Sequence, residues 1–282
     1  MTLVTSEELT TKAFENDYAI GAFSVASSEM INGVIQAAEK LNSPIILQIA
    51  EVRLKQTPLH IIGPAMVEAA KEATVPVAVH LDHGLTENTI KKAIDLGFTS
   101  IMFDGSMLPL EENISKSKHI SKLARDANCS FEAELGKVGG SEDGTENIEA
   151  QLTSIEEAEH FLREVDVDLL AVAIGNAHGF YKGTPEIHFN HLMKLQKSLT
   201  HPFVLHGGSG LSEQDFHIAI SHGIAKINVA TSTFHAALNT VQEKWPMRDY
   251  YDLHNALIQG SFTNVIKHIQ MFKSAGRAYT NV

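Results

Sequence analysis

The chain has 282 residues, 44% of them apolar and 20% charged, with one Cys and 19 Gly. This composition belongs to a folded globular protein and excludes a disordered, collagen-like or disulfide-scaffold chain. Its 22 Lys plus Arg against 34 Asp plus Glu leave a net charge of −12, which repels polyanions and argues against nucleic acid and anionic membrane surfaces as partners.

The opening MTLVTSEELTTKAF lacks the basic start and apolar stretch of a signal peptide, and no later run approaches the ~20 apolar residues of a membrane span. Cys129 is alone and reads as a small buried apolar residue, so a reducing, cytoplasmic setting is expected. Short β-type runs follow at residues 19–25, 44–49, 77–81, 99–103, 130–134, 169–174, 203–205 and 224–229. Most are continuously apolar, as strands buried on both faces of a parallel sheet are. Between them lie amphipathic helical patterns at 29–41, 59–72, 86–96, 110–128, 154–165, 187–199 and 212–222, with joins at Pro76, Gly97, Pro202 and Gly223. Eight strands with intervening helices in ~250 residues predict a (β/α)8 TIM barrel, here one domain over 1–282. A doubly wound sheet fits less well, because the first run continues into FSVASSEM without a glycine-rich turn. The polar stretch 136–150 is long for a connection and is a candidate mobile active-site loop. The tail 245–282 holds extra C-terminal helix, expected to pack under the barrel or on a partner subunit.

In such a barrel the chemistry sits where the strands end at the C-terminal mouth. The third run ends in His80-Leu81-Asp82-His83-Gly84, the fourth in Asp104-Gly105-Ser106 and the fifth in Glu132-Ala133-Glu134-Leu135-Gly136. The sixth ends in Gly175-Asn176-Ala177-His178-Gly179, the seventh in His206-Gly207-Gly208-Ser209-Gly210 and the eighth in Asn228-Val229-Ala230-Thr231. His83, His178 and His206 come from three strand ends and can converge on one divalent cation with a position left open, as in a catalytic zinc site. His80 is set aside, since an offset of three along a strand points it away from His83. The other His, on helices or loop edges, read as solvated or partly packed. The HGGSG loop, and Asn228 to Thr231 leading into a helix, offer backbone N–H groups at the usual phosphate site of this fold. Asp82, Asp104 and Glu134 are either acid-base groups or partners that orient an imidazole. Glu142, in GGSEDG, is either a solvated loop charge or a group that swings in over a substrate.

The motifs HLDHG, DGS, EAELG, GGSEDG, AIGNAHGFYKG, VLHGGSG and KINVAT occur in this order over roughly residues 1 to 240. As a set they resemble the class II, metal-dependent ketose-bisphosphate aldolases, closest to the tagatose- and fructose-bisphosphate branch. The resemblance implies zinc-dependent cleavage of a ketohexose bisphosphate to dihydroxyacetone phosphate and glyceraldehyde 3-phosphate, or the reverse. It implies His83, His178 and His206 as zinc ligands, Asp82 as proton donor, Glu134 beside an alternative metal position and Asp104 as a supporting acid. Glu142 matches the flexible-loop residue that exchanges the C3 proton of dihydroxyacetone phosphate. Gly179, Gly207, Gly208, Ser209, Asn228, Val229, Ala230 and Thr231 match phosphate-binding positions, where a monovalent cation (Na+ or K+) often assists, and Lys182 sits near the same phosphate. A homodimer or homotetramer is also implied.

Two departures leave the substrate open. Ser24 stands where many relatives carry Asn, and Arg248 and Arg277 only loosely match the arginines that read a second phosphate. Fructose and tagatose bisphosphates, which differ at C4, are not separated. The alternatives are an aldolase pairing dihydroxyacetone phosphate with another aldehyde, and a non-catalytic scaffold or regulatory subunit on the same barrel.

Overall fold

Runs of Ile, Val, Leu and Ala that can leave neither face in water form eight parallel strands in the computed structural model, which describes residues 2–141, 148–179, 181, 183 and 185–278. The strands are β1 (Ile20–Ser24), β2 (Ile45–Ala50), β3 (Val77–Gly84), β4 (Ser100–Phe103), β5 (Ser130–Leu135), β6 (Leu169–Val172), β7 (Phe203–Leu205) and β8 (Ile224–Val229). Each pairs in parallel with its neighbour, and β8 closes on β1. The expected barrel is therefore present, with all eight strands where the apolar runs lie.

The helices are α1 (Ser6–Glu15), α2 (Ser28–Lys40), α3 (Leu59–Glu72), α4 (Glu87–Asp95), α5 (Leu110–Asp126), α6 (Ile155–Glu164), α7 (Phe189–Leu199), α8 (Glu213–Ser221), α9 (Thr231–Glu243) and α10 (Tyr250–Met271). The patterns at 86–96, 154–165 and 212–222 began one residue early because they included the N-caps. Thr86, Ser154 and Ser212 are extended, and each side chain accepts a backbone N–H from the first turn, worth ~1 kcal/mol.

Two features differ from expectation. The space under the barrel is filled by α1, a helix that the sequence pattern does not mark. Its Leu9 and Ala13 pack on Ile20, Ala22, Ile46, Ala78 and Ala225 at the N-terminal end of the barrel. The tail helix α10 does not take the place under the barrel, one of its two expected positions; it lies on the flank against α2 and α9. Gly33 and Gly260 permit this approach, since a Cβ at either would lie 2.6 Å from Ile258 O or 2.4 Å from Ala236 O. Only the end of the tail reaches the N-terminal rim, where Phe272 O accepts from Ala19 N.

Cys129 is buried as expected, and burial pushes its thiol up to about 11, which makes it an inert core residue. His268 on α10 is packed among Phe23, Phe216 and Phe272, its Nδ1–H donating to Asn264 O at 2.8 Å. Burial pushes its pKa down to about 4. The native ring is thus neutral, while the unfolded chain takes up a proton near pH ~6.5. Its contribution is complete above that pH and is lost as pH falls towards 4, by about 3 kcal/mol for a shift of this size. Urea unfolding across this range is expected to show the loss, and His268→Leu to flatten the slope.

Among the described residues no helix is long and apolar enough to cross a membrane.

Candidate active site

The position of His83 depends on an irregularity in β3. Pairing with β2 is regular to Ala50↔Asp82, but pairing with β4 shifts between Leu81 and Gly84, and His83 takes φ 41°. That left-handed conformation is uncommon for a side-chain-bearing residue, and here it re-aims His83 into the mouth beside Asp82. Strand alternation therefore does not separate His83 from His80, which also points inward. Depth separates them: His80 lies lower in the barrel, with Nδ1 2.7 Å from Ser100 Oγ and Nε2 3.4 Å from Lys226 Nζ. It stays out of the ligand set for that reason and not because it faces the other way.

His83, His178 and His206 do converge. Their ring centroids are 4.5–5.9 Å apart, and one nitrogen from each lies within 4.8 Å of the others. His178 reaches the group on a two-residue strand, Ala177–His178, that pairs with Gly139–Gly140 and so ties the start of the long loop to the site. His83 Nδ1–H donates to Asp104 Oδ2 at 2.8 Å, which leaves Nε2 open. His206 Nε2–H donates to Glu132 Oε1 at 3.0 Å, which leaves Nδ1. His206 Nδ1 and Glu134 Oε2 are 3.2 Å apart, yet neither has a hydrogen-bond partner among the described residues, and the same holds for His83 Nε2. Two buried acceptors facing one another are costly unless a proton or a metal cation lies between them. His83, Asp104 and Glu134 form a second convergent set.

The electrostatics agree. Asp82, Asp104, Glu132 and Glu134 bring four buried or half-buried carboxylates to this end of the barrel, and Lys226 is the one fully buried Lys or Arg among the described residues. Burial disfavours a charged His83, but the Asp82, Asp104 and Glu134 carboxylates overcome it and raise its pKa well above the ordinary value. Burial and His83 likewise oppose a charged His206, while Glu132 and Glu134 raise its pKa to about 9. Although burial works against their charge, Asp104 is held well below the usual carboxylate range by His83 and Ser106, and Glu132 by Lys226 and His206. The site is built for positive charge. Without a metal these carboxylates favour protonated imidazoles; a zinc ion would take the place of those protons, on rings that Asp104 and Glu132 hold in position from behind.

Asp82 faces the mouth between two amides: Asn228 Nδ2 donates to Oδ1 at 2.9 Å, and Gln48 Nε2 to Oδ2 at 3.1 Å. Beside it Gly179, Gly207, Ser209, Asn228, Ala230 and Thr231 line one small concavity together with His178. Gly207 has φ 66°, and a Cβ there would lie 2.1 Å from Ala177 O, so the loop closes only with glycine. Ser209 Oγ accepts Ser232 N–H at 3.1 Å and joins this loop to the start of α9. Two expected phosphate positions do not line the concavity. Gly208 gives its N–H to Asn228 O, and the Val229 side chain is in the core. Lys182 and Glu142 lie outside the described residues.

Neither arginine singled out for a second phosphate reaches the mouth within this chain. Arg248 is exposed and forms a two-pronged pair with Asp252, both contacts 2.9 Å. Arg277 lies 5.1 Å over the Tyr18 ring, just before β1 and at the opposite end of the barrel.

The residues not anticipated are Gln48, Glu132, Lys226 and Tyr181. Glu132 links His206 to Lys226, whose Nζ is 2.7 Å from Glu132 Oε2. Tyr181 OH accepts Ala177 N–H and donates to Gly207 O, both at 3.1 Å. A signal for the first three was available: Gln48, His80/Asp82, Glu132/Glu134 and Lys226/Asn228 interrupt apolar runs, three of them as pairs at an offset of two, which marks the barrel interior.

The family described as "Fructose-bisphosphate aldolase class-II" matches residues 4–277. The sulfofructosephosphate aldolase of Alkalicoccus urumqiensis is 42% identical over 233 residues, covering 82% of this chain and 81% of the relative. The 6-phospho-5-dehydro-2-deoxy-D-gluconate aldolase of Halalkalibacterium halodurans is 34% identical over 291 residues and covers 100% of both chains. The crystal structure of the YdjI aldolase from Escherichia coli K12 superposes with a TM-score of 0.89 at 33% identity, covering 98% of this chain and 100% of that one. A matching barrel, matching extent and a convergent set of imidazoles and carboxylates lead to one conclusion: the chain belongs to the class II fructose-bisphosphate aldolase family and is an aldolase, a carbon–carbon lyase.

Proposed function

We propose that this aldolase is zinc-dependent and reversibly cleaves a ketose carrying a phosphate at C1, of which fructose and tagatose 1,6-bisphosphate are examples, to dihydroxyacetone phosphate and an aldehyde. The observation that carries the reading is the sharing of one mouth by His83, His178 and His206, the Gly207 and Ser209 concavity, and Asp82 between them. Zinc held by the three imidazoles supplies Lewis-acid polarisation of the substrate ketone. The C1 phosphate is held by Gly179, Gly207, Ser209 and the start of α9 at Ala230 and Thr231. Asp82, kept in place by Gln48 and Asn228, takes the proton of the C4 hydroxyl in cleavage and returns it to the aldehyde oxygen in condensation. Asp104 and Glu132 fix the tautomers of His83 and His206, and Glu134 offers an alternative ligand.

The same reading gives Glu142 the C3 proton and Lys182 a phosphate contact, and sets a Na+ or K+ ion beside that phosphate. It treats residues 1–282 as one domain of a cytoplasmic homodimer or homotetramer. The relatives' names support a constant phosphate half and a variable far end, since they include a sulfonated and a carboxylated sugar phosphate.

The test follows the constant half. With zinc present, the protein is expected to exchange the C3 hydrogen of dihydroxyacetone phosphate for deuterium by NMR, and to release triose phosphate from at least one ketose phosphate. EDTA abolishes both, and zinc restores them. A zinc-loaded protein that exchanges no C3 hydrogen overturns the reading.

A further inference from the structure

Beside Asp82 a second cavity of about 180 Å³ opens between the ends of β1 and β2, lined by Ser24, Ala50, Arg53, Gln56, Thr57 and Phe234 among others. It adjoins the site already described. Ala50 is the register partner of Asp82, and Gln48 Nε2 bridges Ser24 Oγ at 3.2 Å and Asp82 Oδ2 at 3.1 Å. Phe234 lies in the first turn of α9, whose start borders the phosphate concavity. A ketose with its C1 phosphate in that concavity and its C4 oxygen at Asp82 therefore extends its remaining carbons towards this cavity. The placement rests on the reading proposed above.

We infer that Arg53 reads an anionic group at the far end of the aldehyde half. The substrate class is then a ketose 1-phosphate whose aldehyde product is a short chain ending in an oxyanion. Arg53 sits on the 3-10 turn Glu51–Lys55 directly after β2, with its guanidinium 5.9 Å over the Phe234 ring. The turn is pinned from its first residue. The Glu51 carboxylate accepts Leu85 N–H at 2.6 Å, Thr86 N–H at 3.1 Å and the Thr86 and Thr89 hydroxyls, both at 2.7 Å, at the start of α4. Among the described residues no carboxylate lines the cavity, although the chain carries a net charge of −12. Its polar groups include the Arg53 fork, the Gln56 amide and the Ser24 hydroxyl, donor types that suit an oxyanion, while the Thr57 hydroxyl donates to Ala26 O at 3.4 Å. At about 180 Å³ the cavity has room for a three-carbon fragment with a terminal oxyanion.

The experiment compares Arg53→Gln and Arg53→Lys with the unaltered zinc enzyme in condensation with dihydroxyacetone phosphate. The aldehydes are glyceraldehyde 3-phosphate, its sulfonate counterpart 2-hydroxy-3-sulfopropanal, the carboxylate 3-oxopropanoate and uncharged glyceraldehyde. Arg53→Gln is expected to lower kcat/KM for the preferred anionic aldehyde roughly 10–100-fold, mainly through KM, and to change it less than about 3-fold for glyceraldehyde. Arg53→Lys restores part of the loss. The tail with the highest kcat/KM and the largest loss identifies the anion. Equal losses for charged and uncharged aldehydes, or no loss for any anion, overturn the inference while C3 exchange persists. Absence of C3 exchange in the unaltered enzyme removes the underlying aldolase reading instead.

Discussion

Asp82→Asn is expected to lower kcat for aldol cleavage by ~10²–10⁴-fold, the range removed with a positioned acid-base group. The substitution preserves shape, and the neighbourhood can absorb it. Both Asp82 oxygens now accept from amides, while Gln48 Oε1 and Asn228 Oδ1 have no partner among the described residues. Turning one amide presents an acceptor to the new Asn nitrogen, so the packing survives while the proton acceptor is lost. His83, His178 and His206 are untouched, so zinc content by mass spectrometry should remain near one per chain. Exchange of the C3 hydrogen of dihydroxyacetone phosphate should persist, because Asp82 acts at the C4 oxygen. Full turnover in Asp82→Asn removes the residue from its assigned role, and loss of exchange together with turnover moves its action to the enolisation step.

The second large effect concerns stability. Lys226→Met is expected to destabilise the fold by ~3–5 kcal/mol, because it leaves Glu132 buried and ionised without its cation. Lys226 Nζ lies 2.7 Å from Glu132 Oε2 and 3.4 Å from His80 Nε2, and all three side chains are fully buried. Burial and the Lys226 charge push the His80 pKa well below its ordinary value, so the ring is neutral and accepts from Lys226. The double variant Glu132→Gln/Lys226→Met removes both charges and should recover most of the lost stability in guanidinium unfolding. It should still bind zinc about 10–100-fold more weakly in a chelator competition, because His206 Nε2–H loses its carboxylate partner. A double variant no more stable than Lys226→Met refutes the charge explanation.

These effects show how the molecule divides between local and long-range control. The eight strands could be read directly, because a strand buried on both faces needs an apolar residue at nearly every position. Phe203–Leu205 and Ile224–Val229 appear at the bounds the apolar runs mark. Helix α1 is not legible in this way, because its burial comes from packing on Ile46, Ala78 and Ala225, which no local pattern displays.

In the candidate site, the meeting of three imidazoles was legible for a geometric reason. A barrel brings every strand end to one mouth, so His83, His178 and His206 meet although up to 123 positions separate them in the chain. The reason for excluding His80 was not legible, because strand alternation fails at the His83 bulge, which is a property of the β3–β4 register. The second arginine went the same way. Arg248 and Arg277 carry plausible local motifs, yet the fold sends one to an exposed pair with Asp252 and the other to Tyr18 at the far end of the barrel. Arg53 lies on a short turn with no periodic signal, and its position follows from where Glu51 caps α4.

The sequence alone determined the parallel barrel, the end of it at which the imidazoles and carboxylates gather and the residue types found there, because burial pattern and strand-end position are local properties of the chain. Tertiary structure alone decided which nitrogens of His83 and His206 are left open, that Glu132 and Lys226 form a buried pair beneath His206, and that Arg53 lines the cavity at the ends of β1 and β2. Each of those depends on contacts between strands distant in sequence, whose register and depth only the closed barrel sets.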